Sequence, residues 1–268
     1  MSLKWNTTEV KSPGVIYTVT HQPQHDPHKL VESLQTPPNK IIGDFPSVKV
    51  HRFGRRSIVV RTYPYHRGFS SEHDMDYDAE KSFSALSTAA KRGVKITEVP
   101  VALVRAHGQY HIVTRWVENP RSLSQFLGSR SVSSNTKFST CLKVAELIGQ
   151  MHAAKLVHRD LYKHGAINFV IVDKKGNPTL IDPTSLDYFR GSGSADAGEK
   201  IWLPLAKLYK QSVKSNESAK NIAAAFKREH AKAHQQYTKI FEKRDSAEID
   251  KTLRGRLKEH LAHRRLEK

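Results

Sequence analysis

Leu156-Val157-His158-Arg159-Asp160-Leu161 closes a long run of helix-like periodicity. Asn168-Phe169-Val170-Ile171-Val172 and Thr179-Leu180-Ile181-Asp182-Pro183 follow soon after. Before the first stretch, Leu142, Ala145, Ile148, Gly149 and His152 recur at a 3.6 period, so Ser139 to Leu156 reads as a helix. After it, Phe169–Val172 and Thr179–Ile181 read as short strands joined by Asp173-Lys174-Lys175-Gly176-Asn177, a hairpin. Asp160 and Asn168 then bracket a loop, and the hairpin returns Asp182 to the same end. Singly each is weak, since an aspartate after a strand is ordinarily a turn residue. Jointly they bring two carboxylates and an amide oxygen together, the hard-oxygen set that Mg²⁺ with phosphate requires. Phosphoryl transfer asks a protein mainly to position groups and neutralise charge, and these residue types suffice for it.

Upstream, Val48–His51 and Ser57–Tyr63 read as strands around a turn at Phe53-Gly54-Arg55. A polar, acidic stretch from Ser70 to Asp78 precedes a helix on which Phe83, Leu86 and Ala90 share a face; Gly93 is placed to stop it, and Glu80 lies in its first turn. Val99–Val104 and Tyr110–Val117 read as two more strands, and Leu123, Phe126 and Leu127 as a short helix after Pro120. Residues 1–40 mix a β-like run, Gly14–Val19, with a His/Pro/Gln stretch and read as an extension or linker. Beyond Gly198 the pattern is helical to the end. Strands first and helices after argue for an α+β fold with segregated halves.

The chain has 268 residues, enough for one large or two-lobed domain. One cysteine, Cys141, leaves no disulfide framework or cysteine-based zinc site, and no apolar run approaches the length of a membrane span. The start lacks the apolar core of a secretory leader, so a reducing, cytoplasmic setting is expected. The formal net charge is +18. Nucleic acid, anionic membrane and phosphorylated small molecules all become candidate partners, and charge alone does not choose among them. From Lys207 to Lys268, 17 Lys and Arg stand against 8 Asp and Glu, a net of +9.

The stretch from His158 to Leu161 resembles the HRD-L catalytic loop of the protein-kinase-like superfamily. The resemblance spans about residues 45–210. Tyr110 to Glu118 looks like the strand and hinge between two lobes, Ser122 to Leu127 like the helix after it, and Leu180-Ile181-Asp182-Pro183 stands where the metal-binding Asp-Phe-Gly would. The HRD-Leu-Tyr form, the Ile-Asp ending and the Arg92-Gly93-Val94 helix end look most like bacterial lipopolysaccharide core kinases, which phosphorylate heptose or Kdo sugars. The resemblance implies a β-rich small lobe over 41–118, a helical large lobe over 119–268 with a basic tail, ATP and Mg²⁺ as cofactors, and an anionic glycan or glycolipid acceptor at the inner face of the membrane.

It also implies roles. Asp160 would orient the acceptor hydroxyl and take its proton, with Lys163 balancing charge on the phosphoryl group. Asn168 and Asp182 would hold Mg²⁺, with Asp187 the fallback for Asp182. Arg61 and Glu80 would form the ion pair that positions the nucleotide, and backbone groups near Arg115 and Val117 would bind adenine. His158 would be structural, buried under the metal-binding segment. Two departures stand out. Asn168 comes eight residues after Asp160 rather than five, where Gly165 stands. The strand Ile58-Val59-Val60-Arg61 carries Arg in the place of Lys, which keeps the charge in a planar fork rather than as a point. The rival readings are a protein Ser/Thr kinase, which would want an Ala-Pro-Glu-like anchor where Gly191-Ser192-Gly193-Ser194 stands, an aminoglycoside-type phosphotransferase, and a pseudokinase that binds RNA or an acidic membrane. Nucleic acid is the second choice among partners.

Overall fold

The computed structural model describes residues 4–12, 14–38, 40–41, 48–53, 56–63, 72–94, 100–106, 109–115, 121–158, 161, 169–180, 186–188 and 198–266. Seven strands form one antiparallel sheet: β1 (Asn6–Ser12), β2 (Val15–His21), β3 (Lys40–Ile41), β4 (Val48–Phe53), β5 (Arg56–Tyr63), β6 (Pro100–Ala106) and β7 (Gln109–Arg115). Their order across the sheet is β1-β2-β6-β7-β5-β4-β3. Side chains alternate between faces along a strand, and directly paired residues share a face. Val60 pairs with Val113, which pairs with Ala102; this row, with Ile58 and Val104, packs against Leu30 and Val31 of α1 (Pro27–Gln35). Arg61 pairs with Ile112, which pairs with Leu103, and this row looks to the opposite face. There Ile112 joins Phe83 and Leu86 of α2 (Glu72–Arg92) in the larger core.

The sheet begins at Asn6, well before Val48, where the sequence places its first strand. Residues 6–35, read as an extension, form the β1–β2 hairpin, which pairs with β6 through Thr18↔Arg105 to His21↔Ala102, and then α1. The physical reason lies in Asp26-Pro27: the Asp26 carboxylate accepts hydrogen bonds from the N–H groups of His28 and Lys29, and Pro27 occupies the first turn, where no N–H is required. α2 likewise starts at Glu72, so most of the acidic stretch is helical. It stops at Gly93, whose φ of +74° closes the last turn; Gly93 N–H donates to Ala90 and Val94 N–H to Ala89.

The helical part follows: β8 (Arg121–Ser122), α3 (Leu123–Gly128), α4 (Ser134–Ala153), β9 (Leu156–His158), β10 (Val170–Val172), β11 (Pro178–Leu180), β12 (Leu186–Tyr188), α5 (Gly198–Val213) and α6 (Ala219–Leu266). Ser122 opens α3 with a reciprocal capping box to Gln125, and Ser133 caps α4. α6 lies along α4 so closely that a Cβ on Gly149 would stand 2.6 Å from the His230 carbonyl oxygen and 2.9 Å from the Ala233 Cβ. Phe226 of α6 is fully buried in this seam, and His152 Nδ1 lies 2.9 Å from His230 Nε2 across it. The α+β expectation is borne out.

Candidate active site

Two small ladders decide where the chemistry-bearing segments start and end. In β10–β11, Val170 pairs with Leu180, so the chain enters β10 from 162–168 and leaves β11 towards 181–185 at one and the same end. In β9–β12, His158 pairs with Leu186, so the chain leaves β9 towards 159–160 where it arrives from 181–185. Leu180 is therefore held beside the start of β10 by one ladder, and Leu186 beside the end of β9 by the other. The core fixes both ladders: Leu156, Leu161, Val170, Val172, Leu180 and Leu186 are all buried. β8 pairs with β10 through Ser122↔Ile171 and Arg121↔Val172, which stitches the chain coming from the sheet to the same hairpin.

The far end of the hairpin is fixed by its own turn. The Asp173 carboxylate accepts from the N–H groups of Lys175 and Asn177 and from the Asn177 side-chain amide. Burial alone would push this carboxyl up; the Asn177 and Lys175 hydrogen bonds, with Lys143 nearby, outweigh it and hold it below the usual range. Thr140 of α4 donates to the Gly176 carbonyl at 3.2 Å, anchoring the turn on the helix. Register therefore cannot slip without breaking side-chain bonds at the turn and core packing at the ladder ends.

Asp160, Lys163, Asn168, Asp182 and Val117 lie outside the described residues. Each of the three oxygen donors adjoins a described, buried anchor. Asp160 comes two residues after His158, Asn168 two before Val170 and Asp182 two after Leu180. His158 is fully buried, with its ring centroid 5.2 Å from that of Phe169. Arg61, on β5, is 7% exposed and sits in the row of the sheet that faces α2. Glu80 is exposed on α2, next to Ala79 on the buried face of that helix. Arg115 is the last residue of β7, half-buried and paired with Ile58, at the exit from the sheet. Asp187, on β12, pairs with Val157 of β9.

Elsewhere the chemistry is muted. Cys141 is buried on α4, and burial pushes its thiol up to about 12, so it offers no thiolate. Among the described residues, no three His, Cys, Asp or Glu are arranged to hold a metal ion. No described helix is long and apolar enough to cross a membrane.

Residues 75–182 match the lipopolysaccharide kinase (Kdo/WaaP) family. That span takes in Glu80, Arg115, Val117, Asp160, Lys163, Asn168 and Asp182 but not Arg61. The match bears out the resemblance read from the sequence and supports a kinase. No curated protein matches. Among solved structures, one of WaaP in complex with acyl carrier protein is 19% identical, with a TM-score of 0.45, over 80% of this chain and 94% of that one.

Proposed function

We propose that the chain transfers the γ-phosphoryl group of ATP, with Mg²⁺, to a hydroxyl of a lipopolysaccharide core sugar or a similar anionic glycan. The observation that supports this most is the pair of ladder ends: Val170↔Leu180 and His158↔Leu186 bracket the segments that carry Asp160, Asn168 and Asp182. The family match over the same stretch supports a nucleotide as phosphoryl donor and a sugar as acceptor. Two carboxylates and an amide oxygen suit a hard divalent cation, and Asn168 and Asp182 are the residues that would hold it. When bound, the ion neutralises charge on the nucleotide phosphates.

In this reading Asp160 accepts the proton of the acceptor hydroxyl as that oxygen bonds to the γ-phosphorus, while the bond to the β-γ bridging oxygen breaks and ADP leaves. Lys163 balances charge on the group in transit. Arg61 meets the nucleotide phosphates from the sheet and pairs with Glu80. The guanidinium is held by burial on the α2 face, and its fork grips oxygen pairs where a Lys would act as a point charge. Backbone groups near Arg115 and Val117 receive adenine. The basic character, at +18 overall, favours an anionic glycolipid at the cytoplasmic face of a membrane.

Asp160→Asn tests the central assignment. Transfer of γ-³²P from ATP to isolated lipopolysaccharide core oligosaccharide should fall by about 10²- to 10⁴-fold, the range for loss of a positioned base, while ATP binding is retained. Full transfer by the variant would remove Asp160 from the reaction. Salt-sensitive RNA binding by a wild type that transfers nothing would favour the pseudokinase instead.

A further inference from the structure

Three side chains of α6 converge on one residue at the end of α2. The Arg92 guanidinium makes an ion pair with Asp245, Nη2 to Oδ2 at 3.1 Å, and lies 5.2 Å from the centroid of the Phe241 ring. Arg244 Nη1 donates to the Arg92 carbonyl at 3.4 Å. That carbonyl belongs to the last turn of α2, where acceptors lack an intrahelical donor and a cation suits the helix dipole. Phe241, Arg244 and Asp245 are spaced i, i+3 and i+4, so they share one face of α6. Phe241 is 3% exposed, which makes the contact more than a solvent-side ion pair.

We propose that α6 is a strap that ties the end of α2 to the helical part of the molecule and so sets where α2 carries Glu80; Arg92, Phe241 and Asp245 are positioning residues for the nucleotide. The same helix is docked upstream against α4 at Gly149, and α4 leads directly into β9 and the Asp160 segment. The strap thus links the element that carries Glu80 to the one that precedes Asp160. Arg92 lies about 18 Å along the helix from Glu80, at 1.5 Å per residue, so a small swing at the clamped end shifts the carboxylate by a comparable amount. An exposed ion pair alone contributes little, and Asp245 is 54% exposed. Here it acts with a buried ring and a capped carbonyl on one side chain. The inference rests on the kinase reading, since it gives Glu80 a nucleotide to position.

The test uses the full chain with Arg92→Asp, Asp245→Arg and the double exchange. Two quantities are read: the Kd for ATP with Mg²⁺ by calorimetry, and amide hydrogen exchange across residues 72–92. Each single change should weaken ATP binding by about three- to tenfold, the scale on which contacts of this size act on affinity, and raise exchange in α2. The double exchange restores the ion pair but not the guanidinium over Phe241, and should bring both part of the way back towards wild type. Unchanged exchange in the single variants overturns the strap. Raised exchange with an unchanged Kd overturns its role in positioning, and so does a loss that the exchange does not rescue. A wild type that binds no ATP defeats the kinase reading itself, a result distinct from the others because it appears before any variant is compared.

Discussion

At Gly149 a single missing carbon lets two helices meet. An alanine there would drive its Cβ to 2.6 Å from a backbone oxygen of α6, and backbone does not swing aside as a long side chain does. Gly149→Ala should therefore destabilise the fold by about 1–3 kcal/mol through overpacking, despite the better helix propensity of alanine. Chemical denaturation reads this directly; a variant as stable as wild type would mean that α6 can lift off α4 freely. The sequence placed Gly149 on the packed face of its helix, but the closeness of the partner was not legible, because α6 lies some eighty residues further on. Arg61 was legible as a departure from Lys. Its place on the α2 face follows from the pairing Arg61↔Ile112, which no local pattern encodes. For Asp160, Asn168 and Asp182 the sequence supplied the spacing, and the ladders supply only their flanking anchors.

Among elements, the seam between α4 and α6 carries a titration. Burial, with His230 and His234 adding to it, lowers His152 to about 3, and burial with His234 lowers His230 to about 4. Both therefore stay neutral in the folded chain, where one ring can donate to the other across 2.9 Å. The unfolded chain takes up protons at about 6.5. Between that value and about 4 it binds more protons than the folded one, so stability present above pH 6.5 is lost as pH falls. At about 1.4 kcal/mol per pH unit for each ring, the loss should be on the order of 5 kcal/mol by pH 4.5. A His152→Asn, His230→Asn double variant should show a flatter profile over that window in denaturant titrations. An unchanged slope would place the acid sensitivity elsewhere.

The same seam shows what sequence could and could not reveal about elements. The helix read over Ser139 to Leu156 was legible from periodicity, although α4 runs Ser134–Ala153 and Leu156 opens β9; the hairpin after it was legible from a five-residue turn. Of the N-terminal hairpin only the β-like run Gly14–Val19 was read, and α1 was not, although Asp26-Pro27 is a helix start, because a His/Pro/Gln stretch looks like a linker until Leu30 and Val31 are seen to pack on the sheet.

Over the whole molecule, the division into strands first and helices after was the most legible feature, since it needs only the change of period from two to 3.6. What joins the two parts is less visible in sequence. Within the helical part β8, where the chain comes from the sheet, pairs with β10 and β12 pairs with β9; across the two parts, α6 returns to the end of α2. All three are long-range contacts made by short or surface segments. The return of α6 to α2 ties the β-rich part to the helical one, and in the proposed reading a nucleotide with a divalent ion is held at the ladder ends. Calorimetry of ATP binding with and without Mg²⁺, on wild type and Asp182→Ala, tests that most directly. Wild type should bind tightly only with Mg²⁺, and the variant should lose that metal dependence. Binding that is equally metal-dependent in both, or no nucleotide binding by wild type, would contradict it.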